Sequence, residues 1–468
     1  MSSIRPLVAK KIGFHLKSII KREPAMAVLK ELNQTQWFSK EQLHELRTNR
    51  LRQLLTEVGE NVPFYREEIK KLGANPQFDD PWQILYKLPT LDKKTYRSLG
   101  EALQSEHPRR KPFIIYTSGT TGEYLKVKAD HIATTYRYLA GLRGRQWYGV
   151  EPGDSQLKIW GGGSRTAWRQ GHYYQAVVRW FKESLLDITL LPPFFESDKE
   201  LKKAVDLMFR KKPKFVLGYA NTLHLFASYM LRNGIQAGPG WPKLVSYSSE
   251  MLSEWQCDNI RKAFNAPLAS EYGSVEAGVI AYLCPKGNLH TSDDILVVEI
   301  LDGDKRLENG QLGEVVVTSI IGSEYPIIRY RQADLAVLTD KTCSCGVGLG
   351  IMSDLKGRLN EQFFSPSGGV IDFVAFALSI KDQPAIKKFK IVERDAGDLV
   401  FLCELHKDAV WPQQDRERLL HQCLDFLPSD VRLSIGYIGH LPPEPSGKFR
   451  IMIPKSESEK YLRNITTG

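Results

Sequence analysis

From about residue 112 to residue 335, short β-rich runs alternate with stretches of helical periodicity, and few architectures accept that pattern. Phe113–Tyr116, Phe215–Leu217 and Leu244–Tyr247 are the β-rich runs, and Ser197–Arg210 and Ser253–Phe264 read as helices. Such alternation predicts an α/β fold of layered sheets and helices, because helices returning the chain between strands cover the sheet faces. Asp294–Leu301 and Gly313–Ile320 read as strands joined through the turn Asp302-Gly303-Asp304, which predicts an antiparallel or mixed sheet. Beyond Gly357-Arg358, Phe389–Glu393 and Leu399–Leu405 read as strands and Gln413–Phe426 as a helix, the content of a small α+β domain. A chain of 468 residues exceeds one ordinary hydrophobic core. The expected division is a large N-terminal domain over 1–358 and a small C-terminal one over 359–468.

Upstream, residues 37–72 read as helical, interrupted by Asn61-Val62-Pro63-Phe64-Tyr65. Ile4, Leu7, Val8, Ile12, Leu16 and Ile19 share a face at helical spacing, with Lys10, Lys17 and Lys21 mostly off it. A basic helix of this kind either packs on its own domain or lies on a membrane surface or partner. No apolar run approaches the roughly 18 residues of a membrane span, and the N-terminus lacks the apolar segment and cleavage site of a secretory signal. The expected compartment is therefore the reducing cytoplasm, with the six cysteines as thiols or metal ligands. A formal charge of +10 favours anionic partners such as nucleotides and coenzyme A. No zinc-finger array or RNA-binding sheet signature accompanies that charge, so no nucleic-acid partner is expected.

Directly after Phe113-Ile114-Ile115 comes Tyr116-Thr117-Ser118-Gly119-Thr120-Thr121-Gly122. Glycines let backbone approach a phosphate, hydroxyls and amides donate to its oxygens, and Lys126 adds a cation. It is not a Walker loop, since no Gly-Lys-Ser/Thr closes it. The plainer alternative is an ordinary polar turn.

Thr117–Gly122 with Leu125-Lys126-Val127 resembles the phosphate loop of the acyl-adenylate-forming enzymes. The branch is that of the phenylacetate–coenzyme A ligases and their capsule-biosynthesis relatives. Further matches follow in the family's order: Asn61–Tyr65 upstream, then Ser248-Ser249-Glu250, Glu271-Tyr272-Gly273-Ser274-Val275-Glu276, Pro326–Arg331 with Asp334, Gly357-Arg358, and Ser446-Gly447-Lys448-Phe449-Arg450.

The resemblance implies activation of a carboxylic acid by ATP to an acyl-AMP, with pyrophosphate released, then transfer to coenzyme A. Two anions must meet in the first step, so positive charge has to be concentrated there. On this reading Thr117, Ser118, Gly119, Thr120, Thr121, Gly122 and Lys126 hold phosphates and Glu276 holds Mg²⁺ through a hard oxygen ligand. Tyr272, beside Gly273, stacks on adenine, and Ser248, Ser249 and Glu250 meet the purine edge. Asp334 accepts from the ribose hydroxyls, and Arg358 reaches ribose or phosphate. Lys448 bridges carboxylate and phosphate in the transition state, from a lid that turns about Asn360 between half-reactions. The sequence departs from the family at Tyr124, at Val275 and at Gln332-Ala333, which stand for the usual Pro, Thr and Thr-Gly, and at Asn360.

The acid pocket is expected around Trp160, Trp168, Tyr219, Ala220 and Ser248, whose aromatic content suits an aryl or other apolar acid. Cys284 and His290 before the strand pair, and Cys343 and Cys345 after it, form a three-sulfur, one-nitrogen set that suits a closed structural Zn²⁺ site. Unrelated buried thiols are the alternative. Competing functions are adenylation with an amine, sugar or carrier-protein acceptor, and a non-catalytic nucleotide-binding scaffold.

Overall fold

The computed structural model describes residues 25–109, 111–116, 126–160, 173–192, 195, 198–322, 324–358, 363–367, 370–371, 376, 383, 385–424, 427–441, 451–463 and 465–467. Within them the chain forms two compact units. The first runs to Ser249 and resumes over Ile260–Leu355; the second comprises Glu250–Asn259 and the chain from Lys356 onward. The first unit thus ends three residues before the expected 358, and Glu250–Asn259 belongs with the C-terminal unit.

The first unit opens with helices α1 (Ala25–Thr35), α2 (Lys40–Asn61), α3 (Pro63–Lys71), α4 (Pro81–Lys87) and α5 (Lys93–Leu99). Ser39 and Gln42 form a capping box at the start of α2. Pro63 is the first residue of α3, where its missing N–H costs nothing, which explains why the helical pattern breaks at Asn61–Tyr65. A hairpin of β1 (Phe113–Tyr116) and β2 (Lys126–Ala129) pairs Tyr116 with Lys126 and flanks segment 117–125.

After α6 (His131–Gln146) come β3 (Gln156–Ile159), α7 (Tyr173–Leu185), β4 (Ile188–Leu191), α8 (Asp198–Lys211), β5 (Phe215–Tyr219), α9 (Ala220–Arg232), β6 (Leu244–Ser248), α10 (Glu254–Phe264) and β7 (Leu268–Ser274). This is the alternation read from the sequence. β4, β3, β5, β6 and β7 lie side by side, all parallel. Every residue of β5 is buried, as an interior parallel strand covered on both faces requires.

Beyond β7 the sheet turns antiparallel. β8 (Gly278–Leu283), β9 (Leu289–Thr291), β10 (Leu296–Asp302), β11 (Lys305–Arg306), β12 (Leu312–Ser319), β13 (Tyr330–Thr339) and β14 (Ile351–Arg358) complete twelve strands in the order β11-β10-β12-β13-β14-β9-β8-β7-β6-β5-β3-β4. The expected strand pair is β10 and β12, with the short β11 in its turn. The α1–α3 helices, α6 and β10, β12 and β13 share the largest apolar core among the described residues.

Two arginines of the Pro326–Arg331 run serve the fold. Arg329 donates to both oxygens of buried Glu299 at 3.0 and 3.2 Å and to the carbonyls of Tyr86 and Leu88. Arg331 bridges Glu314, Asp304 and Thr90.

The second unit contains a five-stranded sheet. β15 (Phe363–Phe364) and β16 (Val370–Ile371) form a separate pair. β17 (Ile386–Asp395), β18 (Asp398–Leu405), α11 (Gln413–Leu424), β19 (Arg432–Tyr437), β20 (Met452–Ile453), α12 (Lys455–Leu462) and β21 (Thr466–Thr467) give the sheet order β20-β17-β18-β19-β21. Phe389 stacks on Phe401 at 5.0 Å inside its core. The α+β expectation holds. No described helix is long and apolar enough to cross a membrane.

Candidate active site

Carboxyl ends of parallel strands are where open α/β sheets bind ligands, because the connecting loops open a crevice there. Trp160 follows β3, Tyr219 ends β5 with Ala220 opening α9, Ser248 ends β6, and Tyr272, Gly273 and Ser274 end β7. Glu276 sits in the turn between β7 and β8. The expected residues of this group therefore line up along one sheet edge.

Glu276 is 8% exposed, and its Oε1 accepts a 3.0 Å hydrogen bond from the Tyr330 hydroxyl. Burial pushes the Tyr330 phenol well above its ordinary range, so it stays a donor. No other donor among the described residues reaches the carboxylate. A buried carboxylate with one oxygen pinned and the other open fits a hard cation. Tyr96 meets Tyr330 edge-on at 5.6 Å. The stem of Arg137, from α6, packs against Gly278, and its Nε and Nη1 are buried without a partner among the described residues. Burial pushes the Arg137 guanidinium down, opposed by Asp130, Tyr96 and Glu276. Tyr330 and Arg137 were not assigned roles from sequence; only the place of Tyr330 beside Arg331 in a quoted motif pointed to it.

The Tyr272 hydroxyl donates to Asp334 Oδ2 at 2.8 Å, joining the expected adenine platform to the expected ribose acceptor. Ala333 holds φ +57°, the left-handed region that glycine accepts freely, so the departure from the family's glycine places a Cβ in a strained conformation. Ser249 is also left-handed, at φ +76°. Ser248 Oγ donates to the Glu271 carbonyl at 2.7 Å. At Gly273 a Cβ would stand 2.2 Å from the Gly278 carbonyl oxygen. Backbone cannot yield that space cheaply, so Gly273→Ala is expected to destabilise the protein by about 2–4 kcal/mol and abolish nucleotide binding. Thermal melting with ATP titration checks this; a variant with unchanged melting and binding would contradict it.

On the pocket side, Trp160 and Tyr219 rings lie 4.3 Å apart. Beside them on the sheet is an acid that sequence reasoning missed. Glu271 carries a carboxylate paired at 3.1 Å with buried Arg145, which itself lies over the Phe215 ring at 4.6 Å. The pairing with Arg145 balances the charge of Glu271. A cavity of about 690 Å³ opens elsewhere in the first unit, against Arg50, Glu57, Asp130, Tyr136 and Glu324, and none of the expected site residues lines it.

Cys284, His290, Cys343 and Cys345 converge, their ligand atoms all within 4.8 Å of one another. Cys284 Sγ lies 3.7 Å from Cys343 Sγ, and Cys345 Sγ lies 3.3 Å from His290 Nε2. Tetrahedral zinc with sulfur at ~2.3 Å and nitrogen at ~2.0 Å has edges of about 3.8 and 3.6 Å, so these two edges stand close to what the ion requires. His290 Nδ1 faces the Leu349 carbonyl at 3.0 Å, which fixes the tautomer that leaves Nε2 free to ligate. Burial opposes ionisation of Cys343, but donors from Cys345, His290 and Asn288 outweigh it and bring the thiol down to about 6.

Thr117, Ser118, Gly119, Thr120, Thr121, Gly122, Trp168, Asn360, Lys448 and the 4–20 stripe lie outside the described residues. Lys126 opens β2 and Arg358 ends β14, and Glu250 belongs to the second unit.

No family model matches the chain. Among characterised proteins it is similar to the protein CapK of Staphylococcus aureus, 22% identical over 419 residues that cover 88% of this chain and 89% of CapK. It is similar also to the phenylacetate-coenzyme A ligase of Thermus thermophilus, 24% identical over 385 residues that cover 77% and 80%. Among solved structures it is similar to 2-hydroxyisobutyryl-CoA ligase in its postadenylation state with R3-HIB-AMP. That likeness has a TM-score of 0.69 at 18% identity, covers 89% of this chain and 90% of the other, and is one of fold.

Proposed function

We infer that this chain, a member of the acyl-adenylate-forming superfamily, activates a carboxylic acid with ATP and passes the acyl group to coenzyme A. The observation that carries the reading is the convergence of Tyr272, Glu276 and Asp334, from motifs tens of residues apart, at one edge of the parallel strands. In the first step a carboxylate oxygen attacks the α-phosphorus and the bond to the β-phosphate's bridging oxygen breaks, releasing pyrophosphate. In the second the thiol sulfur of coenzyme A, losing its proton, attacks the acyl carbon and AMP leaves.

Each residue's part follows from its chemistry. Thr117–Gly122 and Lys126 cradle phosphates, Tyr272 stacks on adenine, Ser249 and Glu250 meet the purine edge, and Asp334 accepts from ribose. Arg358 reaches ribose or phosphate, and Lys448 brings positive charge to the two reacting anions from the C-terminal lid. Glu276 would hold Mg²⁺, which neutralises charge on the phosphates. Trp160, Trp168, Tyr219, Ala220 and Ser248 line the acid pocket, and the aromatic pair Trp160–Tyr219 favours an aryl or other apolar acid. Cys284, His290, Cys343 and Cys345 would hold a structural Zn²⁺, a closed set with no position for substrate. No disulfide joins the six cysteines, which suits a reducing compartment such as the cytoplasm.

The test is pyrophosphate release from ATP and Mg²⁺ against a panel of aryl and fatty acids, followed by acceptor competition between coenzyme A, amines and sugars. The expected result is release that depends on one class of acid and a thioester product only with coenzyme A. Folded protein that binds ATP but releases no pyrophosphate with any acid and acceptor would make it a scaffold.

A further inference from the structure

On α7, Tyr174 is 83% exposed, Trp180 57%, and Val177 and Phe181 56% each. At 100° per residue the four fall within one arc of about 120°. A helix does not ordinarily give its apolar arc to solvent. No other helix among the described residues exposes more than one large hydrophobic side chain. α7 packs beside β4, the last strand of the twelve, so the stripe stands at the rim of the first unit.

Three features choose the occupant. Three aromatics exposed to this extent present on the order of 400 Å² of apolar surface, against about 800 Å² per partner in a stable protein interface. Tryptophan, tyrosine and phenylalanine together are the residues that settle at the headgroup boundary of a bilayer, where an amphipathic ring finds both phases. The chain's charge of +10 is drawn to an anionic leaflet, which attracts basic proteins within a Debye length.

We propose that the exposed face of α7 is a docking surface for an anionic lipid bilayer. Tyr174, Val177, Trp180 and Phe181 enter the boundary between headgroups and acyl chains, while the net positive charge supplies long-range attraction. The site is peripheral and reversible, and it does not depend on which acid or acceptor the chain uses.

The test uses the full-length protein with phosphatidylcholine vesicles and with vesicles containing one-third phosphatidylglycerol. Co-sedimentation is expected only with the anionic vesicles and is expected to weaken as salt rises, with a blue shift of tryptophan emission. The double variant Trp180→Ser/Phe181→Ser is expected to lower the partition coefficient at least about tenfold and remove the shift. Melting temperature and acid-dependent pyrophosphate release should stay at wild-type values. If that variant folds poorly, Tyr174→Ser at the most exposed position is expected to weaken binding alone. Vesicle binding unchanged in folded variants, or no binding by the wild type, overturns the proposal. So does a wild-type dimer that the double variant splits in light scattering, which would make the face a subunit interface.

Discussion

Replacing Glu276 by glutamine is expected to lower acid-dependent pyrophosphate release by about 10²–10³-fold while leaving the protein folded. The substitution keeps the shape of the side chain, and the Tyr330 hydroxyl, 3.0 Å from Oε1, can still donate to an amide oxygen. It removes the negative charge that would hold a divalent cation beside the phosphates. Loss of one such electrostatic contribution in a site shielded from water is worth about 3–4 kcal/mol of barrier. The magnesium dependence should shift with it, the variant needing more Mg²⁺ for its residual rate, a change that disturbed folding would not produce. Lys448→Ala belongs in the same experiment. It should abolish pyrophosphate release yet leave thioester formation from a supplied acyl-AMP, if the lysine serves the first half-reaction alone. Wild-type kinetics in the Glu276 variant would remove the cation from this carboxylate and with it the assignment of the turn between β7 and β8.

One zinc ion per chain is the second expected result, and removing it should cost the first unit several kcal/mol. Protein purified without chelator should show one equivalent of zinc by elemental analysis. Cys343→Ser or chelation should lower the melting temperature by about 10 °C. The mechanism is local. Cys284 follows β8, His290 lies in β9, and the 343–350 loop leads into β14, which pairs with β9 through Ile351 and His290. That loop also reaches the helices, since the Gly348 amide donates to the Gln36 carbonyl at 2.8 Å. Without the ion, three sulfurs and an imidazole crowd together, held by the N–H donors of Asn288 and Cys345 to Cys343 and otherwise by weak sulfur hydrogen bonds. Zinc-free protein that melts where the wild type does, with Cys343→Ser equally stable, would leave the four residues as a buried polar cluster.

Much of this site can be read from one sequence, for a physical reason. Motifs that resemble a known family singled out Ser248, Tyr272 and Glu276, aromatic content singled out Trp160 and Tyr219, and the fold sets all five at strand ends or in a turn, where local sequence signals are strong. The four residues of the cysteine–histidine cluster are legible because sulfur and imidazole are chemically distinctive and a hairpin returns the chain between them. Pairings across the fold are not legible. Tyr272 and Asp334 stand 62 positions apart, and Tyr330 and Glu276 stand 54 apart. Whether such side chains meet depends on sheet register, which no local pattern encodes. The same holds for Arg145, which reads as a charge near a helix end and proves to be a buried partner of Glu271. The left-handed backbone at Ala333 is hidden for another reason: only a glycine there would have announced it.

The second unit takes Glu250–Asn259 from the middle of the chain as well as the segment from Lys356 onward. That interleaving limits how such a protein can be cut and recombined. A gene fragment beginning at Lys356 encodes most of the small unit but omits ten of its residues. A chimera that swaps C-terminal pieces between relatives at that point pairs a foreign body with a native insert. Shuffling at this junction should therefore succeed only when the 250–259 segment travels with it.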